Sequence, residues 1–382
     1  MASTPHVLSH LDRARALAAK VPPALRRDGE RAYADALLAQ MRQDELLNVL
    51  VSAEHGGPSL SVADTARIIF HAAKQSGSAG LICAMHMSQV LSIVRHGKGA
   101  YFDSFQRRMV KEQLLVASGT TEKGPGGDIL QSFCTITNTP DGQLIVTKES
   151  PNISYIDHAG ALLVTANHVG ANGKPRQVLF VAENHQTRFT PGKEASMMGM
   201  RGMLNCPWTF TSTFSADAIF PVPFSTIARR TMTPGIQIFW AALWSGIAAD
   251  VLERAKVFVQ NEIKADTDGA HITSFQLSRL INLHYIMNTL IRDAISAFEP
   301  SDTAPLLGWG VRFERLKVSC SEMLEEICKG ALHIVGIRGY AAGGPYSLST
   351  QYADALSAAI MISNTRLVIN AAKVENYAQE EL

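Results

Sequence analysis

His333-Ile-Val-Gly336-Ile-Arg-Gly339-Tyr340, followed by Asp354-Ala-Leu-Ser-Ala-Ala-Ile360-Met-Ile362-Ser363-Asn364-Thr365, is the stretch on which the reading of the fold turns. The first run follows a helical segment rich in Met, Glu and Ile, so it marks a helix C-terminus closed by a glycine turn. The second resumes the helical period. Counting outward, apolar residues recur at three- and four-residue spacing over four long segments, roughly 235–261, 273–298, 311–334 and 350–377. Long helices with short joins predict a four-helix bundle, with Ser301 to Pro305 as its one obvious surface connection.

Upstream of the bundle the texture changes. Between Leu114 and Pro223, short runs such as Leu144-Ile-Val-Thr147, Ala161-Leu-Leu-Val-Thr165 and Val178-Leu-Phe-Val181 are separated by turn residues, among them Pro140-Asp-Gly142 and Asn172-Gly173. That spacing predicts a compact antiparallel β domain, with the period-two run Trp208 to Phe214 as a late strand. Earlier still the pattern is helical. Ser61, three residues before Asp64, approximates a capping box, and Leu81 to Val94 is apolar enough to be buried on most sides. The expected fold is mainly α with a central β domain. Residues 1–113 form N-terminal helices, 114–223 a small antiparallel β-barrel or sandwich, and 224–382 the bundle.

Bulk composition narrows the function classes. Of 382 residues, 46% are hydrophobic and 18% charged, which describes a well-buried globular chain rather than a disordered one. A formal net charge of +1 supplies no field that would draw nucleic acid or an anionic membrane. Five cysteines without C-x-x-C spacing argue for reduced thiols and against a zinc site, so no metal is expected. The polar N-terminus lacks the apolar core of a signal peptide, and no uncharged apolar run reaches the length of a membrane span. A cytoplasmic protein is the expectation.

Several local runs, taken in order, carry a resemblance. Val51-Ser-Ala-Glu-His-Gly-Gly57, Thr120-Thr-Glu122-Lys-Gly-Pro-Gly126-Gly127-Asp128, Asn152-Ile-Ser154, Gly199-Met-Arg201-Gly202 and the closing His333–Tyr340 and Asp354–Thr365 runs resemble the motifs of the acyl-CoA dehydrogenase family. Independently of that, glycines at 124, 126 and 127 would let backbone N–H groups approach a ligand without a Cβ in the way, and Thr120 and Thr121 offer hydroxyl donors. The resemblance implies a flavin there, FAD in the usual case. Thr120, Thr121, Gly126, Gly127, Asn152 and Ser154 would lie at its ring, and Gln276, His333, Gly336 and Gly339 at its adenine half, across an interface between subunits. It implies a homodimer or homotetramer. It also implies a substrate cavity lined by the Leu81–Val94 helix and by Phe239, Trp240 and Trp244.

The chain departs from the family pattern where the chemistry should be. The position of the family's catalytic glutamate falls on Ile362, and its alternative position on Ile236. Gln237 stands where an arginine is common, and Lys264 is at best a point-charge substitute for a pyrophosphate-gripping arginine. These changes admit FMN, or a reduced flavin held transiently. Three functions are consistent with the sequence. One is a flavin-dependent dehydrogenase of acyl thioesters with a base from an unexpected residue, reoxidised by an electron-transfer protein. Another is a monooxygenase of the same fold, fed by a flavin reductase, in which His86 or Ser363 faces the reacting oxygen. The third is a degenerate partner subunit. For His86 a core histidine bonded to backbone is the competing reading.

Overall fold

The computed structural model describes residues 5–21, 29–124, 128–169, 173–265, 269–299 and 306–375. The expected connection at 301–305, and Gly126 and Gly127, lie outside these residues. Six helices come first: α1 (Pro5–Arg15), α2 (Leu17–Lys20), α3 (Glu30–Gln43), α4 (Val62–Gln75), α5 (Gly77–His96) and α6 (Ala100–Glu112). Ser61 does cap α4. Its hydroxyl accepts from the Asp64 N–H at 3.1 Å and donates to the Asp64 carboxylate at 2.8 Å, satisfying a backbone donor that the first turn leaves free. Ser76 caps α5 in the same way through Ala79. Small residues then bring helices together: a Cβ on Gly80 would lie 2.5 Å from that of Ala73 on α4.

Seven strands follow: β1 (Leu115–Gly119), β2 (Thr137–Asn138), β3 (Leu144–Ser154), β4 (Ala159–Val169), β5 (Pro175–Glu183), β6 (Thr187–Pro191) and β7 (Asn205–Phe214). They form two sheets, ordered β1-β4-β5 and β2-β3-β7-β6, and among the described residues no barrel closes. The sheets meet through their apolar faces, where Phe180 of β5 stacks on Phe214 of β7 with ring centroids 4.0 Å apart. One feature departs from the antiparallel expectation, since β1 runs parallel to β4. The chain leaves β1 through a long excursion rather than a tight turn, which is what permits a parallel partner.

The last part is helical: α7 (Phe224–Ile227), α8 (Thr233–Lys264), α9 (Ala270–Phe298), α10 (Leu306–Val335), α11 (Ile337–Tyr340), α12 (Ser349–Leu356) and α13 (Asn364–Glu375). A π-helical turn at Ala228–Met232 joins α7 to α8. Three bundle helices match the sequence expectation. The fourth does not, because the segment 350–377 is broken at residues 357–363 by a turn in which Ile362 has φ +49°. A β-branched residue in the left-handed region is a backbone outlier held by its surroundings.

A second expectation also fails. By length and composition, α5 and the helical stretch Phe224–Lys264 are apolar enough to cross a membrane, yet 83% of each apolar window is buried within the fold. Their apolarity is spent on packing: α8 is enclosed by α4, α5, α9 and α10 and buries Phe239, Trp244, Leu243 and Ile247 almost completely.

Candidate active site

At the edge of the β layers a set of hydroxyls and amides is tied into one network. The Thr121 hydroxyl lies 2.7 Å from that of Ser150 and donates to the Asn152 carbonyl at 3.0 Å. Asn152 Nδ2 donates to Ser154 Oγ and to Asn205 Oδ1 at 3.2 and 3.3 Å, and Ser154 Oγ donates to Asn205 Oδ1 at 3.0 Å. Ser154 and Asn205 are buried while Thr121 and Asn152 face outward, so the inner pair fixes the outer pair. Asn205 was not singled out from sequence. A lone asparagine at the start of a strand carries no signal until β7 pairs with β3 and sets it opposite Ser154.

The loop carrying Thr121 is itself anchored. The buried Glu122 carboxylate accepts from the Ser132 hydroxyl and the Phe133 and Cys134 N–H groups at 2.6, 3.1 and 2.7 Å. Burial alone would raise its pKa. These bonds and the nearby Lys148 ammonium outweigh burial and hold it below the ordinary carboxylate value. Thr120 turns the other way. Its hydroxyl sits 2.9 Å from Ser118 and its carbonyl accepts from Thr165, so it is buried structure rather than part of the outward-facing network.

A cleft of about 320 Å³ lies where the π turn and α8 meet α10 and α13. Asp128 to Leu130, a few positions past Thr121 in the chain, form one wall, and Arg229, Thr233, Pro234 and Gln237 form another. Glu314, Ile362, Arg366 and Asn370 close it. Gln237 is buried and its Oε1 has no hydrogen-bond partner, a costly state for a buried acceptor unless a ligand supplies the donor. Two carboxylates line the cleft: Asp128, which accepts from the Leu130 N–H and Gln131 Nε2 within its own loop at 3.0 Å each, and Glu314 on α10. Burial raises its pKa above the ordinary value, against the hydrogen bond from Asn370 and the charge of Arg366. In sequence it sits in Arg312-Phe313-Glu314-Arg315, which reads as a solvated charged face of a helix, so nothing marked it.

Behind Ile362 stands a buried lysine. Lys317 Nζ donates to the Ile362 carbonyl at 2.9 Å and to Asn364 Oδ1 at 2.6 Å. Burial lowers its pKa to about 8, opposed by Glu322.

Several residues expected at the site are elsewhere. Phe239, Trp240 and Trp244 do not line the cleft. They are packed inside the bundle, the two indoles 6.3 Å apart, because α8 is covered on every side from Gln237 to Ala248. Gln237, Pro234 and Thr233 take their place. His86 is fully buried, with both ring nitrogens engaged. Nε2 donates to the Leu47 carbonyl at 2.8 Å, and Nδ1 accepts from the Val116 N–H at 2.9 Å. Burial lowers its pKa to about 4, with the Nε2–H bond to the Leu47 carbonyl opposing. It is a neutral strut between α5, the 44–52 segment and β1, with no free nitrogen for a substrate. Ser363 is exposed beside Ile362, and its carbonyl accepts from the Leu367 N–H at 3.2 Å.

Away from the cleft, Gln276 and His333 do come together. They share a groove of about 580 Å³ between α9 and α10 with Arg279, Asn282 and Lys329. Gly336, at φ +66°, ends α10, and Gly339 lies buried in α11; neither lines that groove.

Comparison with known proteins agrees with this architecture. Residues 6–113 match the family model for the acyl-CoA dehydrogenase N-terminal domain. Cyclohex-1-ene-1-carbonyl-CoA dehydrogenase of Geobacter metallireducens is 24% identical over 313 residues, covering 81% of this chain and 80% of that protein. Among solved structures, butyryl-CoA dehydrogenase from Megasphaera elsdenii superposes with a TM-score of 0.84 at 19% identity, covering 98% and 99% of the two chains. The dibenzothiophene monooxygenase TdsC from Paenibacillus sp. A11-2, with FMN bound, gives 0.82 at 18% identity, covering 99% and 98%. The chain is acyl-CoA dehydrogenase-like in sequence and in fold.

Proposed function

We propose that the chain is a flavin-dependent oxidoreductase that introduces an α,β double bond into an acyl thioester, with Glu314 as the base. The observation that carries this reading is a half-buried carboxylate, raised in pKa, on the wall of the cleft where Ile362 replaces the family glutamate. Such a carboxylate is better matched to taking an α-proton near neutral pH than an ordinary surface glutamate. Asn370 orients it and Arg366 offsets its charge once it is ionised. The Gln237 amide, with its oxygen unsatisfied, is placed to meet a donor on the bound acyl chain or cofactor.

The β-layer network fits a flavin. Thr121 and Asn152 present a hydroxyl and an amide outward on a scaffold fixed by Ser154 and Asn205; a flavin edge docking there would take over protons now given to Asn152, Ser154 and Asn205, and such donors favour extra electron density on the ring. FAD is the expected form, and FMN is admitted. A flavin bound there supplies the two-electron acceptor for the β-hydride. Phe275, Tyr285 and Ile286 lie exposed on the outer face of α9 beside the Gln276–His333 groove. They support a homo-oligomer in which that groove takes the distal half of the cofactor, as well as transfer of electrons to a separate carrier protein.

A second reading, oxygenation of a small molecule by reduced flavin, is favoured by one specific pair: Ile362 is apolar and Gln237 neutral, so the cleft is uncharged where the family carries an acid and an arginine. Anaerobic mixing of flavin-loaded protein with short-, branched- and cyclic-acyl-CoA separates the two. Bleaching of the flavin without oxygen supports dehydrogenation. Absence of bleaching, with tight binding of reduced flavin and substrate-dependent oxygen uptake, overturns it in favour of oxygenation.

A further inference from the structure

The break in the fourth bundle helix has a specific fastening. The turn 357–363 holds Ile362 at φ +49° and 43% exposed, facing the cleft. An isoleucine neither favours that backbone region nor gains burial from this position, so something outside the turn must hold it. Lys317, fully buried on α10, is bonded to the turn at two points: the carbonyl of Ile362 and the side chain of Asn364, the first residue of α13. Asn364 is tied in turn to α10, its Nδ2 donating to Ser321 Oγ at 3.0 Å, while Ser321 Oγ lies 2.8 Å from the Val318 carbonyl. Both acceptors of Lys317 are neutral, and its Nζ lies 5.8 Å from the centre of the Trp244 ring. A buried ammonium without a carboxylate at its tip is costly, and what it gains here is the pinning of this one turn.

We infer that Lys317 is a positioning residue that latches the Ile362 turn over the cleft and thereby sets the width of its mouth. The latch closes α10 against the start of α13 and keeps the α12–α13 segment from straightening into one helix. It also satisfies a carbonyl that the turn leaves without a helical partner. The latch would act in the same way whichever reaction the cleft performs.

The test is hydrogen–deuterium exchange of the full-length protein, without flavin, read on peptides covering 357–367. Lys317→Met keeps much of the volume but removes both hydrogen bonds. It should speed exchange in those peptides about tenfold while the β strands remain unchanged. Lys317→Arg, which keeps a charged donor, should restore most of the protection. Ile362→Gly supplies the decisive arm. A glycine holds φ +49° without strain, so Lys317→Met should have a clearly smaller effect in that background. An unchanged exchange rate in Lys317→Met, or an equal effect with and without Ile362→Gly, overturns the latch and leaves Lys317 as packing. Should Lys317→Met fail to fold, Asn364→Ala, which removes one of the two fastenings, must loosen the same peptides, and unaltered exchange there overturns the inference equally.

Discussion

The two sides of the molecule that meet near the cleft follow different rules. The β side keeps the polar pattern of the family motifs, and the structure ties those residues to one another: Thr121 to Ser150, and Asn152 and Ser154 to Asn205. On the helical side, Ile362 and Gln237 stand where the resemblance implies a carboxylate and a guanidinium. A hydrogen-bonded network resists single changes, because each loss orphans a buried partner. An isolated catalytic group at a turn has no such neighbours, so the backbone can adopt a new solution around it. Here the turn is a helix break bonded to a buried lysine, with Glu314 of α10 on the wall of the same cleft.

The hardest blow to this comparison comes from Glu314. Under the dehydrogenase reading, Glu314→Gln should lower the rate of anaerobic flavin bleaching by about 10²- to 10⁴-fold, the usual contribution of a general base, with flavin affinity unchanged. Bleaching at the wild-type rate would mean that the helical side carries no base on α10.

His86 tests the frame behind both sides. Its folded pKa of about 4 lies below the ordinary histidine value of 6.5, so the unfolded chain takes up a proton first as pH falls. Its contribution is therefore complete above pH 6.5 and is lost as pH drops through 4, about 3 kcal/mol in all for a shift of that size. Urea denaturation between pH 7 and 4 should show that slope, and His86→Gln should flatten it while leaving the bleaching rate intact.

A smaller effect is expected on the β side. Asn205→Ala removes the acceptor that fixes Ser154 and Asn152, worth about 1–1.5 kcal/mol. The dissociation constant for FAD or FMN, read by flavin fluorescence, should rise about tenfold. Unchanged affinity would detach this network from the cofactor. The smallest shift belongs to Ile362→Gly. Relief of left-handed strain, roughly 1–3 kcal/mol, exceeds the entropy that glycine adds to the unfolded chain, about 1 kcal/mol, and an exposed side chain gives up little burial. A net gain of about 1 kcal/mol in unfolding free energy by urea denaturation is expected, and a loss would show that the turn is not strained.

Much of this was legible in the sequence where local chemistry decides it. The capping of α4 by Ser61, the strand that ends at Phe214, and three of the four long helices followed from spacing and residue type. So did the motif runs that gather at Thr121, Asn152 and Ser154. Legibility failed wherever a residue's role depends on what lies opposite. His86 has the composition of a catalytic histidine and is a strut, because Leu47 and Val116 occupy its nitrogens. Trp240 and Trp244 read as pocket aromatics and are core, because four helices surround α8. Glu314 reads as surface charge and lines the cleft, because α13 folds back over it.

The sequence by itself determined the order of helices, strands and helices and the family likeness, since these depend on residue type and on distance along the chain. Only the tertiary structure decided that the last helix breaks at Ile362, that Lys317 bonds to that turn, and that Glu314 lines the cleft. Those outcomes depend on packing between segments far apart in sequence, where one buried donor or one covering helix determines which way a side chain faces.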